Sequence, residues 1–341
     1  MHTRVFQPHE IEPAAQVLRS GGLLAIPTET VYGLGADGLN REAVARIFTA
    51  KGRPQDNPLI LHIPDAGALS QYCTDIPAAA YALARRFWPG PLTMILPRRP
   101  LVPDVVTAGL DTVGMRCPDH PVTRAILSRA GVPVAAPSAN TSGRPSPTTA
   151  AHVLEDMDGK IEGVVDGGPC AVGVESTIVD LTVTPPRLLR PGGVTLEELR
   201  EVLGAVEVDG AVTRMLGEGE QPRAPGMKYR HYAPKAPVTV IRGAPAEAAR
   251  YIRRRLADGD GVICFNEFVP LFEGHPVEPI GPASDPAEQA RRVFDALRYF
   301  DGTETERIWA MCPDPEGIGL AVSNRLNKAA GFHIVNLEAE P

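Results

Sequence analysis

The feature that most limits the folds open to this chain is an alternation of short apolar runs with helical patterns, broken once beyond the middle. Short apolar runs bounded by turn residues predict strands, and apolar spacing of three and four residues predicts helices. Before the break, loops join the strands more often than helices do, which favours a twisted mixed sheet. The predicted helices are 10–19, 41–50, 77–87, 121–130 and 196–203, and the predicted strands are 23–26, 58–63, 92–96, 112–115, 132–136, a run around 164, 176–180 and 187–189.

Residues 209–237 interrupt this pattern with Gly, Pro and charged residues that show no periodicity, which predicts a linker. Beyond it, VTVI, AEAARYIRRRLADG, GVICF, AEQARRVFDALRYF, RIWAM and GLAVSNRLNKAAG alternate strand and helix. That order is typical of a small parallel α/β domain. A chain of 341 residues is long enough for two cores. We therefore expect domains at 1–208 and 238–341, joined by 209–237.

Charge and cysteine content narrow the classes of function. The net charge of −7 provides no overall basic field for nucleic acid or a membrane surface, so an anion site must be local. The sequence has no N-terminal apolar h-region and no apolar run long enough to span a bilayer. The five cysteines lie apart without a C-x-x-C pair, which is typical of buried thiols in a reducing compartment. We expect a cytoplasmic protein.

The stretch AIPTETVYGLGADG contains G-x-G-x-x-G at Gly33, Gly35 and Gly38, between an apolar run and a helical pattern. A dinucleotide site of this kind also needs a carboxylate at the end of the next strand, roughly 20 residues on. Asp56 precedes the strand 58–63 and so lies at its wrong end. We interpret the glycines as allowing a tight turn after a strand. The hydroxyls of PTET either contact a ligand or form the polar face of an edge strand, and both interpretations stay open at this point. We expect no nicotinamide site.

The segment KGRPQDNPLILH places two cations and an amide beside a strand. Lys51 and Arg53 end a predicted helix, and two prolines restrict the chain around Asn57. Two fixed cations and an amide suit a polyphosphate, although cations are also favourable at any helix C-terminus. His62 interrupts the apolar strand, and either a structural or a ligand-binding role is open at this point.

Other strand ends also carry polar groups. The strand VPVAA is followed by SANTSGRPSPTT, whose hydroxyls, glycine and Arg144 suit an anion nest, or else form a polar surface loop. Arg116, Ser176 and Arg190 stand at further strand-to-loop junctions. The sequence has no Walker A motif, no Ser-His-Asp or Cys-His set in a recognisable context, and no histidine pair at metal-ligand spacing.

Taken in order, PTETVYGLG, KGRPQDNPLILHI, TVGMRCPDHP, APSANTSGRPSPT, VESTIVD and RPGG resemble the threonylcarbamoyl-AMP synthases of the YrdC-like family. APGMKYRHYAP and the α/β tail resemble the long, two-domain form. The resemblance implies a YrdC-like mixed-sheet domain and a smaller Rossmann-like parallel domain. It also implies that L-threonine, bicarbonate and ATP give L-threonylcarbamoyl-adenylate and pyrophosphate, for modification of adenosine beside the anticodon of tRNA. Such chemistry needs orientation and charge neutralisation rather than a protein nucleophile.

The same resemblance implies residue roles. The residues implied for threonine or its carbamate are Thr30, His62, Arg116 and Ser176, with Arg116 opposite the amino-acid carboxylate. Those implied for ATP are Lys51, Arg53, Asn57, Thr112, Ser138, Asn140, Ser146, Arg190 and Tyr232, with Lys51 and Arg53 neutralising phosphate charge during the reaction.

The linker is implied to close over the active site as a lid, with Tyr232, Lys228, Arg230 and His231 excluding water from the adenylate. Magnesium should accompany ATP, held mainly by its phosphates, with no dedicated protein site. The product would pass to the tRNA-modifying transferase machinery, and direct tRNA binding is left open. Two alternatives are an RNA-binding protein with a patch of Lys51, Arg53, Arg116 and Arg144, and a carbamoyltransferase.

Overall fold

The computed structural model describes residues 2–214, 217, 220, 222–227 and 231–337, and the chain divides into two compact units. The first unit comprises Met1–Ser142, Ser146–Ala171 and Glu175–Lys228, and the second comprises Gly143–Pro145, Val172–Val174 and Tyr229–Pro341. The last change of unit along the chain falls within the segment 209–237. Two short loops that precede this segment are also grouped with the second unit.

The first unit is built on a mixed sheet that has eleven strands among the described residues, in the order β1-β8-β2-β3-β7-β4-β6-β5-β9-β10-β11. Parallel pairs such as β4–β6 and β5–β9 alternate with antiparallel pairs such as β5–β6 and β9–β10, which confirms the predicted mixed sheet. The strands are β1 Arg4–Phe6, β2 Leu24–Ile26, β3 Gly33–Asp37, β4 Ile60–His62, β5 Leu92–Pro97, β6 Thr112–Arg116, β7 Val134–Ala135, β8 Gly163–Val165, β9 Thr177–Asp180, β10 Arg187–Arg190 and β11 Glu207–Val208.

Eight α-helices of this unit lie among the described residues, and the second of them has a cap at each end. The second of them begins at Asn40, whose side chain accepts the backbone N–H groups of Glu42 and Ala43, and it ends at the left-handed Gly52. These caps place Lys51 at the last residue of that helix. The helices are α1 Ile11–Arg19, α2 Arg41–Lys51, α3 Leu69–Tyr72, α4 Ala78–Phe87, α5 Asp104–Thr107, α6 Pro121–Ala130, α7 Ala150–Met157 and α8 Leu196–Leu203.

Of the three glycines of the G-x-G-x-x-G stretch, only Gly38 lies in a turn after a strand, as we expected. Gly33 and Gly35 lie inside β3, which pairs antiparallel with β2. A Cβ on Gly35 would lie 2.8 Å from a methyl carbon of Val134, and one on Gly38 would lie 2.5 Å from Leu61 and 2.9 Å from the carbonyl oxygen of Pro133. The glycines therefore let β3 and the turn after it approach their neighbours closely. This hairpin is not the strand–turn–helix arrangement of a dinucleotide site.

The second unit contains a parallel sheet in the order β14-β13-β15-β12-β16, and every strand pair described in it is parallel. This confirms the predicted small parallel α/β domain, although β14 and β16 were not predicted. Its strands are β12 Val238–Arg242, β13 Asp260–Cys264, β14 Val277–Pro279, β15 Arg307–Met311 and β16 Ile334–Asn336, and its helices are α9 Pro245–Arg255, α10 Pro286–Tyr299 and α11 Gly319–Ala329.

All five cysteines are buried free thiols. Burial raises the pKa of Cys73 and of Cys264 to about 12, so these thiols stay protonated and unreactive at neutral pH. Within the described part of the chain, no helix is both long enough and apolar enough to cross a membrane.

Candidate functional site

A row of polar side chains crosses neighbouring strands on one face of the first unit's sheet. Register places His62 of β4 beside Arg116 of β6, and Arg116 beside Thr93 of β5. Ser176, which immediately precedes β9, continues the row, with its Oγ 2.8 Å from Thr93 Oγ1. All four residues are buried. The structure thus brings together three of the residues predicted for threonine, and Thr93 joins them.

The charge of Arg116 is balanced inside the protein by Glu29. Arg116 Nη2 donates to Glu29 Oε1 at 2.8 Å, and the two side chains are only 5% and 9% exposed. The second carboxylate oxygen of Glu29 accepts the backbone N–H of Asp119 at 3.1 Å. Nε of Arg116 is buried and has no hydrogen-bond partner among the described residues. The ion pair therefore fixes the guanidinium of Arg116 while its Nε–H remains available as a hydrogen-bond donor.

The hydroxyl groups of Thr28 and Thr30, on either side of Glu29, form local hydrogen bonds that hold this loop. Thr28 Oγ1 lies 2.8 Å from Thr30 Oγ1 and donates to the carbonyl oxygen of Val31 at 2.6 Å. It also accepts the backbone N–H groups of Thr30 and Val31. Such a side-chain turn holds a loop in one conformation. The hydroxyls of PTET thus hold Glu29 in place toward Arg116.

His62 is a neutral ring in this site. Its Nδ1 lies 3.3 Å from the carbonyl oxygen of Ile60. Burial, and secondarily the positive charge of Arg116, lower the pKa of His62 to about 3. The imidazole can therefore make hydrogen bonds at neutral pH without adding charge next to Arg116.

Lys51 fixes the turn that follows β7. Its Nζ donates to the carbonyl oxygens of Ser138 at 2.5 Å and of Asn140 at 2.6 Å. Ser138 Oγ donates to Asn140 Oδ1 at 2.5 Å, which closes the turn. The structure brings these three predicted ATP residues together. It also gives the ammonium of Lys51 backbone partners, so its contact with phosphate stays a prediction.

Arg53 and Asn57 lie on the segment between α2 and β4. Arg53 Nη2 lies 3.3 Å from the carbonyl oxygens of Asn57 and Pro58. The side-chain oxygen of Asn57 is buried and has no hydrogen-bond partner among the described residues. Buried polar atoms are rarely left unpaired, so this oxygen is a good candidate for contact with a ligand.

Ser146 and Arg190 converge on two neighbouring residues, Glu175 and Ser176. Ser146 Oγ donates to Glu175 Oε1 at 2.5 Å. Arg190 donates from Nε to the Ser176 carbonyl oxygen at 3.0 Å and from Nη2 to Ser176 Oγ at 3.1 Å. Ser176 thus connects the row that begins at His62 with two residues predicted for ATP.

Thr112 and Tyr232 are not part of these clusters. Thr112 begins β6, and four residues of strand separate it from Arg116 by about 13 Å. Tyr232 is grouped with the second unit, where its ring centroid lies 5.1 Å from that of Phe294. Their contacts with ATP stay predictions.

Part of the segment 209–237 lies on the same sheet face as the polar row. An apolar cluster on this face combines strand residues with Ala211, Ala224 and Met227. Arg190 Nη1 also donates to the carbonyl oxygen of Pro225, at 3.4 Å. Lys228 and Arg230, expected in a lid, lie outside the described residues, and the lid itself stays a prediction. The strand members of the cluster are Ile60, Ile95, Ile178 and Leu189.

Sequence reasoning missed two features of the site. Thr93 interrupts the apolar run LTMIL just as His62 interrupts PLILHI, so the same signal was present. The ion pair of Glu29 with Arg116 had no signal in the sequence, because the two residues are 87 positions apart and only the folded chain brings them together. Among the described residues, no group of three or more His, Cys, Asp and Glu side chains could hold a metal ion.

Comparison with known proteins gives full-length matches. A family model described as telomere recombination, Sua5/YciO/YrdC, matches residues 16–192, and one described as the threonylcarbamoyl-AMP synthase C-terminal domain matches 194–331. The chain is 47% identical to the threonylcarbamoyl-AMP synthase of Pyrococcus abyssi, with 96% of each chain covered. It is 45% identical to that of Bacillus subtilis, covering 96% of this chain and 94% of the relative.

A solved structure matches as well. The crystal structure of Pyrococcus abyssi Sua5 complexed with L-threonine superimposes with a TM-score of 0.93 at 45% identity, covering 98% of this chain and 100% of that one. The fold and the site therefore define a two-domain protein with a YrdC-like mixed-sheet domain and a parallel α/β domain. The chain belongs to the Sua5/YciO/YrdC family, in its long form with the Sua5 C-terminal domain.

Proposed function

We propose that this protein is an L-threonylcarbamoyladenylate synthase, which makes threonylcarbamoyl-AMP and pyrophosphate from L-threonine, bicarbonate and ATP. The observation that carries the proposal is the buried row of His62, Arg116, Thr93 and Ser176, with Arg116 oriented by Glu29. A guanidinium, a neutral imidazole and two hydroxyls suit an amino acid that has a carboxylate and a hydroxyl. The L-threonine complex of the relative from Pyrococcus abyssi supports this choice of substrate.

The reaction requires positioning rather than a covalent enzyme intermediate. The threonine amine condenses with bicarbonate, water leaves, and a carbamate forms. A carbamate oxygen then attacks the α-phosphorus of ATP while the bond to pyrophosphate breaks, so that all atoms are accounted for. Holding the reactants in line and neutralising the phosphate charge supply most of the rate enhancement in such transfers.

We assign Thr30, His62, Arg116 and Ser176 to threonine and its carbamate. Magnesium would arrive with ATP and be held by phosphate oxygens, which suits an ion that keeps several non-protein ligands. The product would be consumed by the transferase machinery that modifies adenosine in tRNA. The five buried free thiols support a cytoplasmic location. The residues assigned to ATP are Lys51, Arg53, Asn57, Thr112, Ser138, Asn140, Ser146, Arg190 and Tyr232.

Release of pyrophosphate from ATP and magnesium tests the function, with threonine and bicarbonate each omitted in turn. We expect release only when both are present. Arg116→Lys keeps the charge but loses the planar fork, so it should raise KM for threonine strongly. Arg129→Gln on α6 is a matched control, because that side chain is 63% exposed, and it should behave as wild type.

The same assay separates the alternatives. Turnover of carbamoyl phosphate without free threonine would indicate a carbamoyltransferase. Salt-sensitive RNA binding without threonine-dependent release would indicate an RNA-binding protein. Either result would refute the proposed function.

A further inference from the structure

One face of α10 contacts three segments that lie outside the α/β pattern of the second unit. Ala290, Phe294, Arg298 and Asp301 follow one another at intervals of four, four and three residues, along α10 and the 3-10 turn Phe300–Gly302. Such spacing puts side chains on one side of a helix. We call this set the α10 face. The three segments are the loops 143–145 and 172–174 and the residues 231–235, all grouped with the second unit.

Each residue of loop 143–145 has a hydrogen bond to another part of this unit. The carbonyl oxygen of Gly143 accepts the N–H of Ala233 at 2.9 Å. Arg144 Nη2 donates to Asp301 Oδ2 at 3.1 Å, and the carbonyl oxygen of Pro145 accepts from Arg298 Nη2 at 2.7 Å. The side chain of Asp301 is only 8% exposed and that of Arg144 is 33% exposed, so the pair is partly shielded from water. The loop is thus fixed at three successive positions.

Asp301 also holds the segment that carries Tyr232. Its Oδ1 accepts the backbone N–H of Lys235 at 2.8 Å, and its carbonyl oxygen accepts from Lys235 Nζ at 2.9 Å. Tyr232 packs on Phe294 with 5.1 Å between ring centroids, and its φ is +65°. A tyrosine in that region is strained and persists only where its surroundings impose it. Phe294 and Arg325 contact the ring, and Asp301 holds the backbone three residues further on at Lys235.

The loop 172–174 approaches the α10 face so closely that only glycine fits. Gly173 has a φ of +81°, and a Cβ built on it would lie 2.4 Å from the Cα of Arg291 and 2.5 Å from the carbonyl oxygen of Ala290. Both distances are far inside normal contact. The residue after this loop is Glu175, the partner of Ser146.

We propose that the α10 face positions the nucleotide-binding part of the active site, with Asp301 as its principal positioning residue. The three segments it holds are continuous with residues assigned to ATP: loop 143–145 joins Asn140 to Ser146, loop 172–174 precedes Glu175, and 231–235 contains Tyr232. This inference rests on the proposed function, and it gives the second unit a role in ATP affinity. Threonine binding, whose residues lie on the first unit's sheet, is affected much less.

The first test is amide hydrogen exchange in the full-length protein, which does not depend on activity. In Asp301→Ala, the Lys235 amide loses its acceptor directly. The Ala233 amide bonds to Gly143 and not to Asp301, so it exchanges faster only if loop 143–145 has been released. We expect Ala233 to exchange about tenfold faster or more, by local opening. Acceleration at Lys235 alone would overturn the proposal.

The second test is kinetic and uses the conservative variant Asp301→Asn, which keeps a side-chain acceptor but removes the charge opposite Arg144. We expect KM for ATP to rise about tenfold, as for loss of one charged hydrogen bond, with kcat and KM for threonine within about twofold of wild type. Glu304→Gln, which removes an exposed carboxylate three residues further on, is the matched control. Unchanged KM for ATP, or equal loss in every parameter, would overturn the proposal.

The two proposals fail in different ways. If the wild-type protein releases no pyrophosphate in the presence of threonine and bicarbonate, the proposed function is refuted. Exchange at Ala233 then still decides whether the α10 face holds the loop.

Discussion

Removing the carboxylate of Glu29 should destabilise the first unit far more than removing an exposed carboxylate. The substitution Glu29→Ala leaves the guanidinium of Arg116 buried without the partner that now lies 2.8 Å away, and it deprives the Asp119 N–H of its acceptor. Breaking a buried ion pair by deleting one partner costs about 3–5 kcal/mol, because the remaining charge stays desolvated. We expect a loss of that size in the free energy of unfolding.

The chain offers a spectroscopic reporter for each unit. Its two tryptophans are Trp88, in the first unit, and Trp309, in the second. In a Trp309→Phe background, the fluorescence of Trp88 during urea unfolding follows the first unit alone. This Trp88 assay avoids treating the unfolding of two units as one transition. Glu12→Ala is the control, since Glu12 pairs with arginines but is 50% exposed, and exposed pairs contribute little.

A double-mutant cycle tests whether the effect belongs to the pair. Arg116→Met combined with Glu29→Ala removes both charges. The double variant should therefore lose about 2–3 kcal/mol less free energy of unfolding than the two single variants lose together. Glu29→Gln, which keeps the shape of the side chain, should raise KM for threonine more than KM for ATP. The reasoning is wrong if Glu29→Ala loses no more stability than Glu12→Ala, or if the cycle shows no coupling.

Three further predictions concern His62, Lys51 and Gly38. His62 is protonated below about pH 6.5 in the unfolded chain, whereas the folded protein keeps it neutral down to its pKa of about 3. The free energy of unfolding therefore falls by up to about 1.4 kcal/mol for each pH unit of acidification in this range. His62→Gln should flatten this dependence between pH 6.5 and 4 in urea titrations, and parallel profiles would contradict it. Lys51→Met should cost about 2–4 kcal/mol by leaving the buried carbonyl oxygens of Ser138 and Asn140 without their donor. A loss below 1 kcal/mol in the Trp88 assay would show that water replaces the ammonium at about equal free energy. Gly38→Ala should cost about 1–3 kcal/mol by overpacking against Leu61 and the Pro133 carbonyl oxygen, and unchanged stability would mean that β7 moves away freely.

Periodicity predicted the elements that have a strong one-sided pattern. The mixed sheet of the first unit and the parallel α/β order of the second were both predicted, and α10 and α11 were found within a few residues of their observed ends. Elements without such a pattern were missed. β3 is rich in glycine and was interpreted as a turn, and the short strands β14 and β16 are only partly buried, so neither shows a clear apolar run.

Strand ends also indicated where chemistry would occur. His62, Arg116 and Ser176 each place a polar group at or near the end of an apolar run, and the sheet brings all three into one row. The family resemblance gave these residues their substrate. Local patterns located only the polar groups at strand ends, because apolar spacing and turn residues are properties of adjacent positions in the chain.

The pairings within the site depended on the tertiary structure. Three pairings depend on strand register and on loops that meet across long stretches of sequence. Glu29 neutralises Arg116, Lys51 fixes the turn at Ser138, and Asp301 holds Arg144. Long-range register depends on how side chains pack over a whole sheet, and no local window of sequence contains that information. The sequence by itself thus determined the order of the elements and the polar groups at the strand ends, and packing decided which of those groups support one another.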